Sequence, residues 1–446
     1  MTHQLVTRRT FMKGAAACAA AMALPRNVLG ANARLDLAFI GCGSRAKSAL
    51  VPAFSEENYV AMCDPNEAHA AAALERAKKL GKTFRFFRDY RRMFDALGSQ
   101  IDAVVVATPD HQHYPASMYA MHHGKHVYVE KPMANTVFEC RHMRDLAAKK
   151  KLLCALGNQG HSTEGIRLCK EWFEGGVMGD VSRVECWTPR SGSGPVKGVK
   201  EEPIPATLDW DLWLGPARPR PYSHRLLKAG AARMWWGLGN GQLGDIGCHT
   251  MDAPFWALDL GAPESIEADA TPTNEFNYPK ASTITYTFPA KGKRGPVTLK
   301  WYDGKRRPRR PSQLEASREL IEEGAIFHGS KAMVLVQGMR PESVRIIPEA
   351  QMKATVKSLP PKTLPRVRNH FDNWPESIKA GVQPTSNFEY GAALTEVVVL
   401  GALAVRMRKK LTWDGEKTNM AEANQHLKPF MRKPWDFTEG ISGSKG

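Results

Sequence analysis

The chain has 446 residues, of which 43% are hydrophobic and 24% charged, and its formal net charge is +17. This length is sufficient for two domains with large cores. Positive charge alone would admit a nucleic-acid partner, but no recognition motif accompanies it, so we exclude nucleic acid as the partner.

Residues 1–33 have the layout of an export signal. Arg8 and Arg9 lie in a basic segment, residues 14–24 are apolar, and Ala-Asn-Ala at 31–33 is a small-residue cleavage site. This order is typical of a twin-arginine signal, and the alternative is a basic N-terminal arm. Because residues 14–24 are too short to span a bilayer, we predict a periplasmic or otherwise exported protein, delivered by the twin-arginine machinery. No transmembrane segment is predicted after residue 33.

Residues 35–46 predict a dinucleotide-binding turn. An apolar run ends in the letters GCGSRA, in which Gly41 permits a tight turn and Gly43 the close approach of a pyrophosphate. Asp64 ends the next apolar run, twenty-one residues after Gly43, where a carboxylate meets the ribose hydroxyls and disfavours a 2′-phosphate. We therefore predict NAD before NADP. Ser44 and Arg45 complete the turn, and Arg45 is the residue that would still admit NADP. The alternative is an ordinary glycine turn with a solvated aspartate.

Short β-rich runs alternate with helical patterns between residues 34 and 156. The predicted strands cover residues 35–40, 59–63, 83–87, 102–107, 126–129 and 152–155, and the predicted helices cover 67–80, 115–123 and 137–150. Apolar strands separated by helices indicate a parallel sheet covered on both faces, so we predict a doubly wound Rossmann domain over 34–156. Pro52 should shorten or kink the first helix.

Two polar segments follow predicted strands of this sheet. Thr108, Pro109 and His113 come after the fourth strand, and Glu130 and Lys131 come after the fifth. Ligands of open α/β sheets bind outside the carboxyl ends of the strands. We therefore place all five residues at the cofactor. Pro132 should hold the chain before it extended, so that the lysine reaches both a nicotinamide and a bound hydroxyl.

The remainder, residues 157–446, predicts a C-terminal α+β domain with a large open, mostly antiparallel sheet. Its predicted strands cover 181–188, 282–288, 296–302, 331–337 and 343–347, and its predicted helices cover 164–174, 245–258 and 388–410. The polar tail after Trp413 is expected to wrap the surface or a neighbouring subunit. Candidate contacts to a substrate in this domain are Gln159, His161, Trp187, Arg190, Trp235 and Trp236.

The basic run, the cysteines and the histidines of the sequence are interpreted as structural rather than functional features. The basic run at 305–311 contains two prolines and is interpreted as a solvated loop, with a patch for acidic glycans as the alternative. The cysteines lie mostly in apolar runs without Cys-x-x-Cys pairs, so we predict neither a disulfide framework nor a zinc site. The clustered histidines lack a cysteine or paired carboxylate at ligand spacing, and we predict no metal.

The order of these motifs resembles the glucose-fructose oxidoreductase, inositol dehydrogenase and MocA family over essentially the whole mature chain. The resemblance is carried by the Gly-x-Gly turn, Thr-Pro-x-x-x-His at 108–113, Glu-Lys-Pro at 130–132 and Asp-Ile-Gly-Cys-His at 245–249. It implies a nicotinamide-binding Rossmann domain followed by an open-sheet domain, with sugars or polyols as substrates. We also expect a homodimer or homotetramer.

Within this family context, we assign the reaction to Lys131, Asp245 and His249. Oxidation of a secondary alcohol needs a base for the hydroxyl proton and a cation for the developing alkoxide. His249 is the predicted proton acceptor, Lys131 stabilises the alkoxide, and Asp245 binds a neighbouring hydroxyl or completes the proton relay. Spacing of i, i+4 puts Asp245 and His249 on one helical face, and Asp252 is expected to orient the imidazole. The alternative for His249 is a satisfied helix histidine.

We predict an exported oxidoreductase that acts on a secondary hydroxyl of a sugar, polyol or glycoside. Twin-arginine export, as the resemblance implies, carries folded proteins, and outside the cytoplasm a released cofactor would be lost, so the NAD should be tightly held. One alternative is an NAD-dependent glycoside hydrolase that oxidises its substrate transiently and returns the hydride. That subgroup resembles the chain at residues 239–241 but usually has asparagine at position 245. A second alternative is a catalytically silent sugar-binding protein.

Overall fold

The computed structural model describes residues 33–228 and 230–415. The predicted signal segment before residue 33 and the tail beyond residue 415 lie outside the described residues. Two sheets organise the described chain, one of six strands and one of eight.

The six-stranded sheet is parallel throughout and has the strand order β3-β2-β1-β4-β5-β6. Both of its faces are covered, because the side chains of β1 and β4 are almost completely buried. This confirms the predicted doubly wound Rossmann sheet. Its strands are β1 (Asp36–Ile40), β2 (Asn58–Cys63), β3 (Arg85–Phe87), β4 (Ala103–Val106), β5 (His126–Glu130) and β6 (Ala155–Gly157).

Helices connect these strands on both faces of the sheet. After β1 the chain makes a π-helical turn (Ala46–Leu50) and a single α-helical turn (Val51–Ala53) that contains Pro52, so the proline lies in a short helix as predicted. Three of the four longer helices begin at side-chain caps, which satisfy their first free N–H groups. The four are α1 (Glu67–Lys79), α2 (Tyr90–Leu97), α3 (His113–His122) and α4 (Val137–Lys149), of which α3 alone has no side-chain cap.

The eight-stranded sheet has the order β13-β12-β11-β7-β10-β9-β8-β14. Strands β7 and β10 are parallel and every other neighbouring pair is antiparallel, as predicted for a mostly antiparallel sheet. The strands are β7 (Val181–Trp187), β8 (Ser265–Ala270), β9 (Ser282–Phe288), β10 (Val297–Tyr302), β11 (Gly324–Gly329), β12 (Met333–Gln337), β13 (Ser343–Ile347) and β14 (Leu411–Thr412).

One face of this sheet packs against helices. Strand β9 alternates buried and half-buried residues, which is the pattern of a sheet with one face on a core. The helices that follow β6 in the chain are α5 (Glu164–Glu174), α6 (Trp210–Leu214), α7 (His224–Leu227), α8 (Asp252–Ala257), α9 (Glu349–Thr355), α10 (His370–Ala380) and α11 (Phe388–Met407). Of these, α5, α9 and α11 contact strands of this sheet. Helix α11 is long and apolar enough to cross a membrane, but 83% of its most apolar window is buried inside the protein, so we interpret it as a core helix.

Helix α11 also connects the two sheets. It packs against α4 of the first sheet and against β8 of the second. Just before it, the Leu156 N–H donates to the Ser386 carbonyl over 2.8 Å, and Arg141 on α4 pairs with Glu396 on α11. These contacts fix the second sheet beside the carboxyl ends of the parallel strands, where the predicted cofactor residues lie. The boundary between residues 156 and 157 stays a prediction.

Three predicted elements differ in the structure. The sixth strand covers Ala155–Gly157 rather than 152–155, because β5 offers its free edge to those later residues. The helix predicted over 245–258 is broken into a π-helical turn (Leu243–Gly247), a short turn (Cys248–Thr250) and α8. The last helix ends at Met407, since Arg408 adopts a left-handed backbone conformation.

Candidate active site

The turn after β1 requires both of its glycines. Gly41 has a φ of +90°, and a Cβ atom there would lie 2.5 Å from the carbonyl carbon of Ala107 and from the amide nitrogen of Thr108. A Cβ atom on Gly43 would lie 2.6 Å from the imidazole of His69. Without side chains, the turn brings its backbone directly against the loop after β4 and opens a cleft along residues 41–45.

Asp64 stiffens this turn from the end of β2. Its carboxylate accepts the N–H of Cys42 over 2.8 Å and the N–H of Asn66 over 2.8 Å. Burial raises the pKa of Asp64, and the two amide N–H groups oppose that shift. The carboxylate therefore lines the cleft in a fixed orientation, at the strand end where a ribose is expected.

A segment of the second domain covers this cleft. Residues of the Rossmann domain and of the second domain line it. We call residues 206–228 the cover segment; it contributes Leu212, Trp213, Leu226, Leu227 and Lys228 to the lining. Its aromatic residues form a small core of their own, in which the rings of Trp210 and Trp213 stack with centroids 4.8 Å apart.

The first part of the cover segment, residues 206–213, is tied to the Rossmann domain by hydrogen bonds. The Glu67 N–H donates to the Thr207 carbonyl, and the Asp209 N–H donates to the Pro65 carbonyl over 2.9 Å. Further along, the Gln112 amide donates to the Leu212 carbonyl over 2.7 Å. The bonds at Thr207 and Asp209 lie next to Asp64, and the bond at Leu212 lies next to the loop after β4. The cover is therefore held closed at two points by hydrogen bonds.

His113 joins the two loops that carry the predicted cofactor residues. Its Nδ1 lies 2.7 Å from the Pro132 carbonyl oxygen and its Nε2 lies 3.0 Å from the Thr108 carbonyl oxygen. The ring is buried, so the loop after β4 and the loop after β5 are fixed to each other at this histidine. This contact fixes the backbone from which Lys131 extends.

The structure brings Lys131 and Asp245 together from opposite domains. The Lys131 ammonium donates to Oδ1 of Asp245 over 2.7 Å and also to the Asp245 carbonyl oxygen. Arg233 forms an ion pair with the same carboxylate and lies 3.9 Å from the Asp110 carboxylate. Arg233 and Asp110 also line the cleft, so Arg233 connects the cleft to the Lys131–Asp245 pair.

Charge and burial set the protonation of the cluster. Burial alone would raise the pKa of Asp245, but the positive charges of Lys131 and Arg233 lower it far below its usual value. Burial lowers the pKa of His249 well below 6.5, and the charges of Lys131 and Arg340 lower it further. At neutral pH the site therefore holds a carboxylate and a neutral imidazole. The Nδ1 atom of His249 is buried and has no hydrogen-bond partner among the described residues.

Glu130 connects the fingerprint turn to the second domain. It accepts a hydrogen bond from Arg45 over 2.8 Å and another from the Gln159 amide over 3.2 Å. Arg45 thus extends toward the end of β5, across the sheet from Asp64 at the end of β2. The hypothesis that Arg45 admits a 2′-phosphate finds no support in this arrangement, because its charge is already paired with Glu130.

The structure corrects the predicted contact between Asp252 and His249. Asp252 does not orient His249: its carboxylate lies 3.0 Å from Nδ1 of His161 and accepts the Tyr390 hydroxyl. His161 is completely buried in that pair. The i, i+3 spacing suggested a contact between Asp252 and His249, but the break in the helix between them turns the two side chains apart.

The predicted tryptophan contacts lie in cores. Trp236 is 1% exposed, packs on the ring of Tyr278 with centroids 3.7 Å apart, and donates its indole N–H to the Asn274 carbonyl. Trp187 is completely buried and Trp235 belongs to the core of the cover segment. Arg190 is exposed, 3.9 Å from Glu323. The structure thus does not bring Trp236 into the cleft, because its ring fills an apolar space instead.

The cleft has the features of a dinucleotide site. The two glycines leave room for a ligand against the backbone, and the backbone is helical over residues 44–53, so a helix begins directly at the turn. The Thr108 hydroxyl lines the cleft and is buried without a hydrogen-bond partner among the described residues. A polar ligand would satisfy it. The residues present therefore fit a nicotinamide dinucleotide.

Sequence reasoning missed Arg233 and the cover segment. Arg233 lies in the unpatterned letters KAGAARM, and only the fold brings it to Asp245. The cover segment contains tryptophans and prolines without helical or strand periodicity. Its Trp-rich composition was the one available signal that it forms a core of its own.

Comparison with protein families identifies both halves of the chain. Residues 35–158 match a family described as an oxidoreductase family with an NAD-binding Rossmann fold, and residues 186–294 match the family's C-terminal α/β domain. Residues 5–25 match the signal sequence of the twin-arginine translocation pathway, which confirms the prediction of export.

Individual relatives cover part of the chain. A levoglucosan dehydrogenase of Pseudarthrobacter phenanthrenivorans is 26% identical over 52% of this chain and 52% of its own. An alpha-N-acetylgalactosaminidase of Bacteroides fragilis is 29% identical over 33% of this chain and 36% of its own. The chain thus spans about half or less of the length of these relatives.

Among solved structures, the WlbA dehydrogenase of Bordetella pertussis, in complex with NADH and UDP-GlcNAcA, has a TM-score of 0.58. It is 16% identical, and the match covers 85% of this chain and 98% of that one. At this identity the likeness shows the fold.

Proposed function

The chain belongs to the glucose-fructose oxidoreductase, inositol dehydrogenase and MocA family of oxidoreductases. We therefore propose that it is an exported enzyme that oxidises a secondary hydroxyl of a sugar, polyol or glycoside with NAD. The cofactor stays bound through the catalytic cycle. The single observation that carries this proposal is the Lys131–Asp245 ion pair, which lies close to His249 and shares Arg233 with the lining of the cleft that holds the dinucleotide turn.

The roles of the three residues follow from their charges. When bound, NAD supplies the hydride acceptor. His249 is kept neutral, so its imidazole can take the proton of the substrate hydroxyl. Lys131 donates a hydrogen bond to that oxygen and stabilises the negative charge that develops there.

Asp245 holds Lys131 in place for this step. It fixes the ammonium through a 2.7 Å bond. Arg233 shares the carboxylate and prevents it from taking a proton itself. Asp245 therefore acts as an anchor for the lysine, and a free oxygen of its carboxylate can bind a neighbouring substrate hydroxyl.

Two features support NAD and its retention. The Asp64 carboxylate at the end of β2 repels a 2′-phosphate and can accept the ribose hydroxyls. The cover segment closes over the cleft and is bonded to the Rossmann domain at residues 207, 209 and 212. Release of the nucleotide requires these bonds to open, which suits an enzyme that works without a free NAD pool.

The experiment is performed on the protein purified after export. Denaturation releases the bound nucleotide, and chromatography should identify it as NAD. Sugars, polyols and glycosides are then added to the intact protein while the absorbance band of the reduced nicotinamide is recorded. Lasting reduction supports the proposal. The absence of nucleotide, or no spectral change with any compound, contradicts it and favours the silent sugar-binding alternative.

A second candidate is glycoside hydrolysis by transient oxidation. The observation that favours it is the similarity to an alpha-N-acetylgalactosaminidase over 33% of this chain. In the same experiment this activity would appear as reduction followed by recovery of the oxidised band during release of the leaving group. Because Asp245 carries an ion pair rather than the amide usual in the hydrolases that the chain resembles, we favour the dehydrogenase.

A further inference from the structure

One arginine near the reacting residues has no carboxylate within ion-pairing distance among the described residues. Arg340 belongs to the turn between β12 and β13, and its guanidinium donates to Oε1 of Gln159 over 3.3 Å. Its Nε atom is buried without a hydrogen-bond partner in the described chain. The other three cations of this region each have a carboxylate within ion-pairing distance: Arg45, Lys131 and Arg233.

The turn that carries Arg340 is fixed against the segment that follows β6. A Cβ atom on Gly160 would lie 3.0 Å from Cδ of Pro341 and 3.4 Å from Cα of Arg340. A Cβ atom on Gly165 would lie 2.2 Å from the Pro341 carbonyl oxygen. Both glycines follow β6, so the close contact requires their lack of a side chain and holds Arg340 at the carboxyl edge of the parallel sheet.

The strand order shows which ligand Arg340 faces. A pyrophosphate sits at the turn after β1, between β1 and β4. Gln159, the partner of Arg340, follows β6 and bonds to Glu130 at the end of β5. Arg340 is therefore two strands away from the pyrophosphate site, on the side of Lys131. Its charge also helps to lower the pKa of His249, which agrees with a position beside the reacting group.

We propose that Arg340 recognises a singly charged anionic substituent of the sugar, a carboxylate or a sulfate ester, and so makes the enzyme prefer acidic over neutral sugars. One uncompensated positive charge matches one negative charge, and the planar guanidinium suits a carboxylate. This inference rests on the proposed sugar oxidation. It adds a specificity residue that lies outside the predicted set.

The test compares matched pairs of sugars with the cofactor-loaded enzyme. D-glucuronate and glucose 6-sulfate are each compared with D-glucose, and D-galacturonate is compared with D-galactose. The wild type should favour the acidic member in kcat/KM by roughly tenfold or more, the size expected for a charge-assisted hydrogen bond. A preference for glucuronate assigns the carboxylate, and a preference for glucose 6-sulfate assigns the sulfate ester. A wild type that prefers every neutral sugar overturns the proposal.

Variants then assign the preference to the side chain. Arg340→Gln and Arg340→Met should reduce the ratio of acidic to neutral kcat/KM about tenfold, and Arg340→Lys should retain part of it. Arg76→Gln, an exposed arginine on α1, is the matched control and should leave the ratio unchanged. An unchanged ratio in both Arg340→Gln and Arg340→Met overturns the proposal even if the enzyme oxidises sugars well.

Binding separates this inference from the proposed function. Titration calorimetry of glucuronate, galacturonate and glucose 6-sulfate needs no turnover. If no sugar is oxidised but the wild type binds an acidic sugar and Arg340→Gln does not, the proposed oxidation is wrong and the role of Arg340 stands. If neither oxidation nor binding of an acidic sugar is observed, both proposals fail.

Discussion

The nucleotide end and the reacting end of the cleft are built in different ways. At the nucleotide end, backbone shape makes the site: Gly41 and Gly43 permit contacts that a side chain would prevent, and Asp64 holds the turn through two backbone bonds. At the reacting end, charged side chains from distant segments make the site, as when Lys131 meets Asp245 across 114 positions of sequence. Substitutions at the two ends should therefore affect nucleotide binding and hydride transfer separately.

The largest expected effect is on chemistry alone. Lys131→Met removes the cation that stabilises the alkoxide, and kcat should fall about a thousandfold, within the range for positioned proton-transfer groups. The NADH dissociation constant should change much less, because the glycine turn is untouched. Steady-state rates and a fluorescence titration of NADH measure the two quantities.

Lys79→Met, at the exposed end of α1, is the control for the loss of a lysine and should behave as wild type. If Lys131→Met kept its kcat within tenfold of wild type, the assignment of chemistry to the reacting end would be wrong.

The next effect concerns the proton acceptor. His249→Gln should lower kcat about a hundredfold, since a glutamine cannot take the hydroxyl proton. In the wild type, burial and the charge of Lys131 lower the pKa of His249 below 6.5, so the imidazole stays neutral as the pH falls through 6.5. The rate should therefore be maintained at pH 6.5 and fall only at lower pH.

The pH dependence of kcat/KM measures this fall in rate directly, as the acidic limb of the pH profile. His224→Gln, an exposed histidine on α7, is the matched control and should leave the limb in place. If the rate already fell above pH 6.5, or if the same acidic limb persisted in His249→Gln, a group other than His249 would be the proton acceptor.

A smaller effect is expected at the nucleotide end. Gly41→Ala forces a Cβ atom against the backbone at residues 107 and 108, at a backbone angle that alanine rarely adopts. Strain of this kind costs about 1–3 kcal/mol, which corresponds to a roughly tenfold to hundredfold weaker affinity for NADH. Once the cofactor is saturating, kcat should be close to that of wild type.

Gly81→Ala is a close control for this substitution. Gly81 also has a positive φ, +71°, but nothing lies within 4 Å of its Cβ position. It should lower the thermal midpoint of unfolding without weakening NADH binding. Equal losses of affinity in both variants would show that strain in general, and not contact at the turn, sets the affinity.

The smallest effect is on the choice of cofactor. Asp64→Ser removes the charge that repels a 2′-phosphate, so the preference for NAD over NADP should fall about tenfold, or about 1.4 kcal/mol. Titration of both oxidised nucleotides measures it. Asp95→Ser, on the exposed side of α2, serves as control. An unchanged preference would mean that Asp64 serves only to hold the turn.

The same contrast explains what the sequence could predict. The glycine turn, Asp64 and the five apolar strands that surround them are local patterns, and strands β1 to β5 lie within a few residues of the predicted ranges. The parallel sheet follows from their alternation with helices. Strand β11 and helix α2 were missed, because the first lies next to a basic loop and the second is a short segment rich in charge.

The reacting end was predicted only where motifs were available. Lys131, Asp245 and His249 were found through resemblance, whereas Arg233 and Arg340 lie in segments without a pattern and act through contacts over long sequence separations. Trp236 was placed in the cleft for its ring, but an aromatic ring fills a core as readily as it lines a site. No local signal distinguishes these two uses of a tryptophan.

The most direct test of the account follows the transferred hydrogen. The exported protein with its bound nucleotide is incubated with a substrate sugar deuterated at its carbon-bound positions, and the nucleotide released on denaturation is analysed by mass spectrometry. Hydride transfer at this cluster predicts reduced NAD that carries one deuterium atom in the wild type, and labelling about a thousandfold slower in Lys131→Met. Reduced nucleotide without deuterium, or equal labelling in both proteins, would contradict hydride transfer at this cluster.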